Sequence, residues 1–472
     1  MKTNAPRRIQ QRLAWRSVLL AGFLLAACSK SVAAPDEMLP DSEVLPPPRP
    51  HDTRTFFVPD GQPTFTAFAG ATAYYGIHQG LQGDAGYRIE VPGNWNGVLV
   101  MYAHGYRGEG TDLRVSSLPS GLRAHLITNG YAWAASSYSA NYYDVRAGVE
   151  DTNRLALAFA ALTGRASPTK YYVAGFSMGG HITGAAVERE TLTTALYRVG
   201  YAAALPMCGV MADNELGNYF YAYNFAASYL AGIPITSLPI PDFDTRFPVL
   251  KQALWVDFDT DPNLMTPQGE KLRYALMHLS GGLRPTFFEG FGRYQELLLN
   301  RGSGDGTWGG ILGGVSVNTT GIVYQLDDDT AVSAEEAAFN SAIFRVQGDF
   351  LAHNPLRPDG VRAIPIIEGR FDVPVISMHT LENRVPFSMQ QIYAERAAAN
   401  GSDSWLVQRV IRSTGHCDFT TDEMVSAFDA LVNWEVSGVV PAGDEVLDPL
   451  VVADPKYGCQ FTLVTRTGIP AC

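Results

Sequence analysis

The hexapeptide GFSMGG at residues 175–180 constrains this chain more than any other segment. A strand-like run, Lys170–Ala174, leads into it, and a helix-like run follows from Met178 to about Glu190. It contains G-x-S-x-G, whose serine lies on a sharp turn between a strand and a helix. A chance glycine-rich loop is the alternative, and the strand–turn–helix setting disfavours it. The pattern therefore predicts that the Ser177 hydroxyl projects from the end of a sheet, where a substrate carbonyl can reach it.

The surrounding chain alternates between strand-like and helix-like runs. Strand-like runs lie at 71–80, 85–91, 97–103, 131–135, 170–174, 199–205, 373–378 and 405–411, and helix-like runs at 149–162, 178–190 and 419–434. Such alternation is typical of α/β proteins, in which helices cover both faces of a mostly parallel sheet. We therefore predict an α/β core in two parts, 51–210 and 361–440, followed by a C-terminal tail at 441–472.

The alternation stops after Cys208 and resumes at Val373, with an aromatic-rich stretch between them. About 150 residues are too many for a structureless loop in a compact domain. We predict that 211–360 forms an inserted cap over the catalytic edge of the sheet. Most of its rings are expected to form the cap's own core, and a minority to line the substrate path.

A serine hydroxyl is a weak nucleophile, so it needs a base within hydrogen-bond reach that is oriented by an acid. The base is expected at the carboxyl end of a strand, where such sheets bind ligands. His416 follows the last strand-like run, and a glycine before it permits a sharp loop. His181 would point along the helix after the serine, while His104 and His379 are expected to brace their own loops. We predict His416 as the general base.

Three carboxylates compete for the role of the acid: Glu382, Asp372 and Asp418. Asp372 precedes the strand-like run 373–378, and six residues at ~3.3 Å each place it about 20 Å from the other end. Asp418 is two residues from His416 and cannot easily reach around to Nδ1. Glu382 follows the strand at the expected end and preserves the chain order serine, acid, histidine. We therefore predict Glu382 as the acid.

Attack on a carbonyl creates an oxyanion, which needs preorganised donors. One predicted donor is the backbone N–H of Met178, and the other belongs to the loop at 103–108, where the N–H of Tyr106 is favoured. Gly105 lets that backbone approach the substrate. Arg107 is expected to form a structural salt bridge, with a substrate carboxylate as the alternative partner.

These motifs resemble those of the α/β-hydrolases, specifically a bacterial exported esterase or lipase. The matches are Gly175–Gly179 with the nucleophile elbow, His104-Gly105 with the oxyanion loop, Glu382 to Pro386 with the acid turn, and Gly415-His416 with the base. The resemblance covers about residues 85–210 and 361–435, and it implies an α/β-hydrolase fold. The acid turn departs from the commoner form, with Glu for Asp and one residue fewer after His379.

Four cysteines besides Cys28 allow three connectivities if they form two disulfides. We favour Cys459–Cys472, which would pin the C-terminal tail, and Cys208–Cys417; free thiols are the alternative. Gly-His-Cys at 415–417 also resembles feruloyl esterases and tannases, in which cysteines beside the serine and the histidine are bridged. Phe176 precedes the serine here, so that bridge cannot form, and Cys208 is the substitute partner that the resemblance suggests.

The N-terminal residues resemble an export signal. Five basic residues precede an apolar run, Val18–Ala27, that is too short to be a permanent membrane helix. Leu-Ala-Ala-Cys at 25–28 resembles a bacterial lipoprotein box. We predict a signal peptide at 1–27, lipidation of Cys28 and a Pro-rich tether at 28–50, so that the protein is anchored facing the periplasm or the exterior. Cleavage near Ala34 is the alternative, and Pro35 argues against it.

The charge balance and the motifs limit which partners and cofactors we expect. From Cys28 onward 30 basic residues face 47 acidic ones, a balance that disfavours nucleic acid and anionic membrane surfaces. The sequence contains no H-E-x-x-H, no paired C-x-x-C and no phosphate-cradling loop, so we expect no metal or organic cofactor. Contact with a membrane is expected only through the lipid.

Together these residues predict a serine carboxylesterase that cleaves hydrophobic or aromatic esters, small or oligomeric, through an acyl-enzyme. A peptidase needs no different residue types, because fold alone does not decide function. A surface binding module without activity is the third interpretation, and the presence of all three triad residue types disfavours it.

Overall fold

The computed structural model describes residues 53–59 and 65–472. The predicted signal peptide at 1–27, the lipidation site Cys28 and the tether at 28–50 lie outside the described residues, so they stay predictions. The core is built on the strands of a central sheet, most of whose buried side chains are apolar.

Eight strands in the described part of the chain form one sheet. They are β1 (Ala71–Gln79), β2 (Asp84–Pro92), β3 (Val98–Ala103), β4 (Ala132–Ser136), β5 (Lys170–Phe176), β6 (Ala203–Met207), β7 (Val375–Thr380) and β8 (Leu406–Ile411). Their order in the sheet is β1-β2-β4-β3-β5-β6-β7-β8. β2 runs antiparallel to β1 and β4, and the other pairs are parallel. The predicted α/β class with a mostly parallel sheet is confirmed.

Helices pack on both faces of this sheet. Alternate residues of β3 point to opposite faces, with Leu99 and Met101 in one apolar core and Val100 and Tyr102 in the other. The first core is covered by α2 (Val145–Thr163), α3 (Met178–Val187) and α11 (Ser388–Asn400), and the second by α1 (Ser120–Thr128) and α12 (Thr421–Ser437). Because both faces are covered, the central strands are continuously apolar.

The helix after Ser177 is shorter than the sequence predicts. It ends at Val187, residue 188 is extended, and α4 (Arg189–Thr194) starts afresh. The Glu188 carboxylate accepts hydrogen bonds from the backbone N–H groups of Gly369 and Arg370, at 2.8 and 2.9 Å. The Glu188 side chain thus takes the place of backbone carbonyls as the acceptor for two N–H groups of a distant loop. The helix ends at the residue before it.

The segment between β6 and β7 contains helices of its own. They are α5 (Glu215–Leu230), α6 (Phe243–Leu254), α7 (Pro267–Leu279), α8 (Phe287–Gly290), α9 (Gln295–Arg301) and α10 (Ala334–Ala342). Their buried side chains form an apolar core that also receives Tyr142, Val385 and Met389 from the sheet-bearing part. We call residues 208–374 the inserted segment; the predicted cap limits of 211 and 360 stay a prediction.

The C-terminal residues pack against the core rather than trailing from it. They include the short α13 (Pro449–Val452). Arg412, just beyond β8, donates to the carbonyls of Pro455 and Pro470 at 2.6 and 3.1 Å. The predicted bridge Cys459–Cys472 is present and closes the end of this segment. Among the described residues, no helix combines the length and the apolar character that crossing a membrane requires.

Candidate active site

Ser177 lies at the turn between β5 and α3, in the left-handed region with φ of 58° and ψ of −121°. Its N–H donates to the Met207 carbonyl, and its own carbonyl accepts from residues 180 and 181. A Cβ on Gly175 or Gly179 would overlap the Ala103 carbonyl, which explains both glycines. The backbone of a non-glycine residue is strained here, and strain of this kind concentrates at functional sites.

His416 and Glu382 form a hydrogen-bonded pair at the same edge of the sheet. Nδ1 of His416 lies 2.5 Å from Oε1 of Glu382, and both side chains are largely withdrawn from water. Because a carboxylate only accepts, Nδ1 carries the proton and Nε2 keeps a lone pair. Nε2 is buried, and no described residue forms a hydrogen bond with it. The serine–histidine hydrogen bond is thus not made here, as is common before substrate binds.

A disulfide joins the loop that carries His416 to the loop that follows the strand next to β5. Cys208 follows β6, the strand next to β5, and Phe176 and Met207 are paired across those strands. Cys208 is bridged to Cys417, the neighbour of His416, as the sequence analysis favoured. A ring nitrogen of His416 lies within 4.8 Å of both sulfurs. The bridge therefore draws the loop after β8 across β7 toward the strand that carries the serine.

The same three residues are the group in the described chain whose donor atoms are close enough to hold a metal ion. Both sulfurs belong to the disulfide, so neither is the thiolate that a metal needs as ligand. This donor set does not fit a metal site.

Contacts from the inserted segment support the acid and the base, and the sequence analysis missed them. The hydroxyl of Tyr294 accepts a hydrogen bond from the backbone N–H of His416 at 2.8 Å. Arg284 is buried and donates to Oδ1 of Asn383 at 2.6 Å and to the carbonyl of Glu382 at 3.3 Å. Burial lowers the pKa of Arg284 to about 10. Arg284 is 98 residues away from Glu382, and Tyr294 is 122 residues away from His416. No local sequence pattern marks these contacts.

The predicted oxyanion loop passes directly over the serine. A Cβ on Gly105 would lie 3.2 Å from the Ser177 Cβ. Neither the Tyr106 nor the Met178 N–H has a hydrogen-bond partner among the described residues. The buried His104 ring faces the carbonyls of residues 105 and 137, at 2.7 and 3.1 Å, and loss of hydration lowers its pKa to about 4. The His104 ring thus braces this loop.

The other histidines weighed as bases are buried. Nε2 of His181 donates to the Pro365 carbonyl at 2.8 Å, and its Nδ1 accepts from the Tyr143 hydroxyl at 3.1 Å. Nδ1 of His379 faces the Thr380 carbonyl at 2.6 Å. Burial away from water lowers the pKa of both rings. Both ring nitrogens of His181 are thus occupied, whereas Nε2 of His379 has no hydrogen-bond partner among the described residues.

The remaining charged candidates lie elsewhere. Asp372 is exposed at the amino end of β7, opposite the site. Asp418 accepts from the Ser413 hydroxyl at 2.5 Å and lies 3.5 Å from Arg466. Arg107 donates to the Ser116 hydroxyl, and its predicted salt bridge is not found among the described residues.

A cavity of about 350 Å³ opens in front of Ser177, within the size range of small-molecule sites. Its wall combines aromatic side chains with a few polar ones; the rings belong to Tyr106, Tyr143, Phe220, Tyr221 and Trp308. Of the aromatic run on α5, Phe220 and Tyr221 reach this cavity, and the neighbouring Tyr223 is buried in the core of the inserted segment. The wall could hold an apolar or aromatic group next to the reacting serine.

No protein-family model matches the chain. A curated protein named o-phthalyl amidase, from Xanthobacter agilis, is 23% identical over 419 residues, which cover 77% of this chain and 87% of the amidase. Among solved structures, an acylaminoacyl peptidase from Pyrococcus horikoshii matches 78% of this chain at 9% identity and a TM-score of 0.36. The chain spans about two fifths of that peptidase, 42% of its length.

A bacterial brefeldin A esterase matches 82% of this chain and 80% of its own, at 13% identity and a TM-score of 0.38. Both TM-scores lie below 0.5, so the fold assignment depends on the strand order and on the serine turn between β5 and α3.

Proposed function

We propose that this chain is a serine hydrolase with the α/β-hydrolase fold and that it cleaves carboxylic esters through an acyl-enzyme on Ser177. The observation that carries the proposal is the hydrogen bond from His416 Nδ1 to Glu382 at the edge where the serine lies. It leaves Nε2 with a lone pair, which is the form a general base requires.

In the proposed reaction, Ser177 Oγ attacks the carbonyl carbon while His416 Nε2 takes the hydroxyl proton. Glu382 stabilises the imidazolium that forms. The N–H groups of Met178 and Tyr106 donate to the oxyanion, and the strained turn and Gly105 bring those donors close to it. His416 then protonates the departing alkoxide, and water releases the acyl group by the reverse steps.

The aromatic wall of the cavity favours a hydrophobic or aromatic ester. An amide is the second candidate, favoured because the relative at 23% identity is named an amidase. The two differ in the leaving group, since an amine needs protonation by His416 before the bond breaks. Only assays with both kinds of substrate distinguish the two candidates, because both reactions use the same residue types.

The test compares 4-nitrophenyl acyl esters with peptide 4-nitroanilides. We expect ester hydrolysis by the wild type, and loss of at least about a thousandfold in kcat for Ser177→Ala and for His416→Ala. A fluorophosphonate probe should label the wild type but not Ser177→Ala. Ser426→Ala, an exposed serine of α12, is the control and should keep both labelling and turnover.

Normal turnover in either the Ser177 or the His416 variant would refute the assignment. Cleavage of anilides in preference to esters would favour the amide alternative. Absence of both labelling and turnover in a folded wild-type protein would favour a binding module without activity.

We also propose that the protein is exported and anchored through a lipid on Cys28. Two disulfides among the described residues support an oxidising compartment. Processing that is blocked by globomycin, together with incorporation of labelled palmitate, would support the anchor. Palmitate incorporation that persists in a Cys28→Ala variant would contradict it.

A further inference from the structure

The cavity in front of Ser177 contains an arginine without a partner. Arg384 lies within the acid turn, two residues after Glu382, lines the cavity and is half-buried. Among the described residues, none forms a hydrogen bond or an ion pair with its guanidinium. The other arginine close to this turn behaves differently, since Arg284 donates to four neighbouring oxygen atoms.

A cation that is partly withdrawn from water without a partner lowers the stability of a protein. A side chain of this kind is a functional candidate, because a bound anion would compensate its lost hydration. Arginine suits a carboxylate in particular, since its planar fork can donate two parallel hydrogen bonds. The geometry therefore points to an anion that enters together with the substrate.

The carboxylates around the cavity do not pair with Arg384. Glu109 and Asp305 are exposed at its mouth, and each already accepts a hydrogen bond, from the Tyr106 hydroxyl and from Thr307 respectively. Arg301 is also exposed, and its guanidinium lies 5.4 Å from the centre of the Tyr106 ring. Arg384 is therefore the less exposed of the two cavity cations and the one with no partner.

We propose that Arg384 binds a free carboxylate on the substrate, so that the preferred substrates are esters or amides that carry a second, unreacted acid group. This inference rests on the proposed function, since it assumes that the cavity receives the scissile bond. The aromatic wall packs against the body of the substrate, and Arg384 fixes its orientation relative to Ser177 through the charge. Half-esters and half-amides of dicarboxylic acids have the required chemistry.

The test uses two matched pairs of substrates. The first pair, 4-nitrophenyl hydrogen glutarate and 4-nitrophenyl pentanoate, places the free carboxylate in the acyl group. The second, 4-carboxyphenyl butanoate and phenyl butanoate, places it in the leaving group. We expect the wild type to prefer the carboxylate in at least one pair by about tenfold or more in kcat/KM, the range of a charge-assisted hydrogen bond.

Arg384→Met keeps the length of the side chain and removes its charge, so it should lower that preference by about tenfold, mainly through a higher KM. Arg384→Lys keeps the positive charge and should retain part of the preference for the carboxylate. Arg301→Met is the matched control within the cavity, and we expect the preference to change by less than about threefold, because an exposed cation is screened by water.

Binding of the half-amide of glutaric acid to the Ser177→Ala variant gives a readout that does not depend on turnover. Calorimetry should detect this half-amide more strongly than pentanamide, which has no free carboxylate, and adding Arg384→Met should abolish the difference. The inference is overturned if neither substrate pair shows a preference, if Arg384→Met keeps it, or if Arg301→Met removes it equally. In those cases loss of ester hydrolysis in Ser177→Ala would still support the proposed function, so the two failures are distinguishable.

Discussion

Glu382 forms a hydrogen bond with a ring nitrogen of His416, and Asp418 does not. Its Oε1 accepts from Nδ1 at 2.5 Å, so the lone pair of the ring is left on the opposite nitrogen. Asp418 is closer in sequence to the histidine, yet it is bonded to Ser413. Because Nδ1 and Nε2 lie on opposite sides of the ring, only an acid at Nδ1 leaves Nε2 available to the serine.

Glu382→Gln tests this role at nearly constant volume. An amide cannot stabilise the imidazolium, and its NH₂ group can force the ring into the wrong tautomer. We expect kcat on a 4-nitrophenyl ester to fall by about a thousandfold or more, with little change in KM. Steady-state kinetics on protein shown by circular dichroism to be folded is the measurement.

Asp372→Asn is the control, because this exposed acid lies at the far end of β7. Its kcat should stay within a few-fold of the wild type. The reverse pattern, with an inactive Asp372 variant and an active Glu382 variant, would move the acid role to Asp372.

At the scale of elements, the Cys208–Cys417 bridge joins the loop after β6 to the loop after β8. Between them runs β7, whose Thr380 hydroxyl donates to the Gly415 carbonyl at 2.9 Å. The loop that carries His416 is thus fixed covalently on one side and by hydrogen bonds on the others. This arrangement limits the freedom of the loop that carries His416.

Replacing Cys208 and Cys417 together by serine should loosen this loop. The bridge spans 209 residues, and loss of such a cross-link costs roughly 2–5 kcal/mol of unfolding free energy. We expect kcat to fall at least about tenfold even at a temperature where the variant is folded. Denaturant unfolding and kinetics on the same sample measure the two effects.

Cys459→Ser with Cys472→Ser is the matched control, because that bridge spans 13 residues at the end of the chain. It should lower stability while leaving kcat near the wild-type value. Full turnover in the folded Cys208/Cys417 double variant would show that the bridge does not position the base.

The elements themselves were largely predictable from the sequence. The strand runs and the glycines around Ser177 are local signals, and the carboxyl ends of parallel strands meet at one edge. The end of α3 was not predictable, since Glu188 breaks the helix to bind a loop 181 residues away. The same holds for Tyr294 and Arg284, whose contacts with the site depend on how the inserted segment packs.

At the scale of the whole molecule, two buried carboxyl groups join distant parts of the fold. Asp151 on α2 accepts from the Leu81 N–H, in the turn between β1 and β2, and from Ser139, in the loop after β4. Glu188 joins the end of α3 to residues 369 and 370. Burial raises the pKa of Asp151 to about 7 and that of Glu188 to about 8.

These shifts have a definite consequence for stability. Each folded-state pKa lies above the ordinary value of 3.8 or 4.5, so between those limits the folded protein binds more protons than the unfolded chain. The contribution of these two carboxyls to the unfolding free energy therefore falls as pH rises from about 4 to about 8. The stability contributed by the protonated carboxyls is complete at the acidic end and is lost as pH passes each raised pKa.

Glu188→Gln should flatten this dependence, because glutamine does not titrate. The variant is expected to be less stable overall, since its NH₂ group replaces an acceptor for one backbone N–H, so the slope of stability against pH is the informative quantity. Denaturant unfolding at pH 5, 6, 7 and 8 measures it. Glu395→Gln, an exposed position on α11, is the control and should keep the wild-type slope. A Glu188→Gln protein that loses stability with rising pH as steeply as the wild type would show that this carboxyl is not protonated in the folded state at neutral pH.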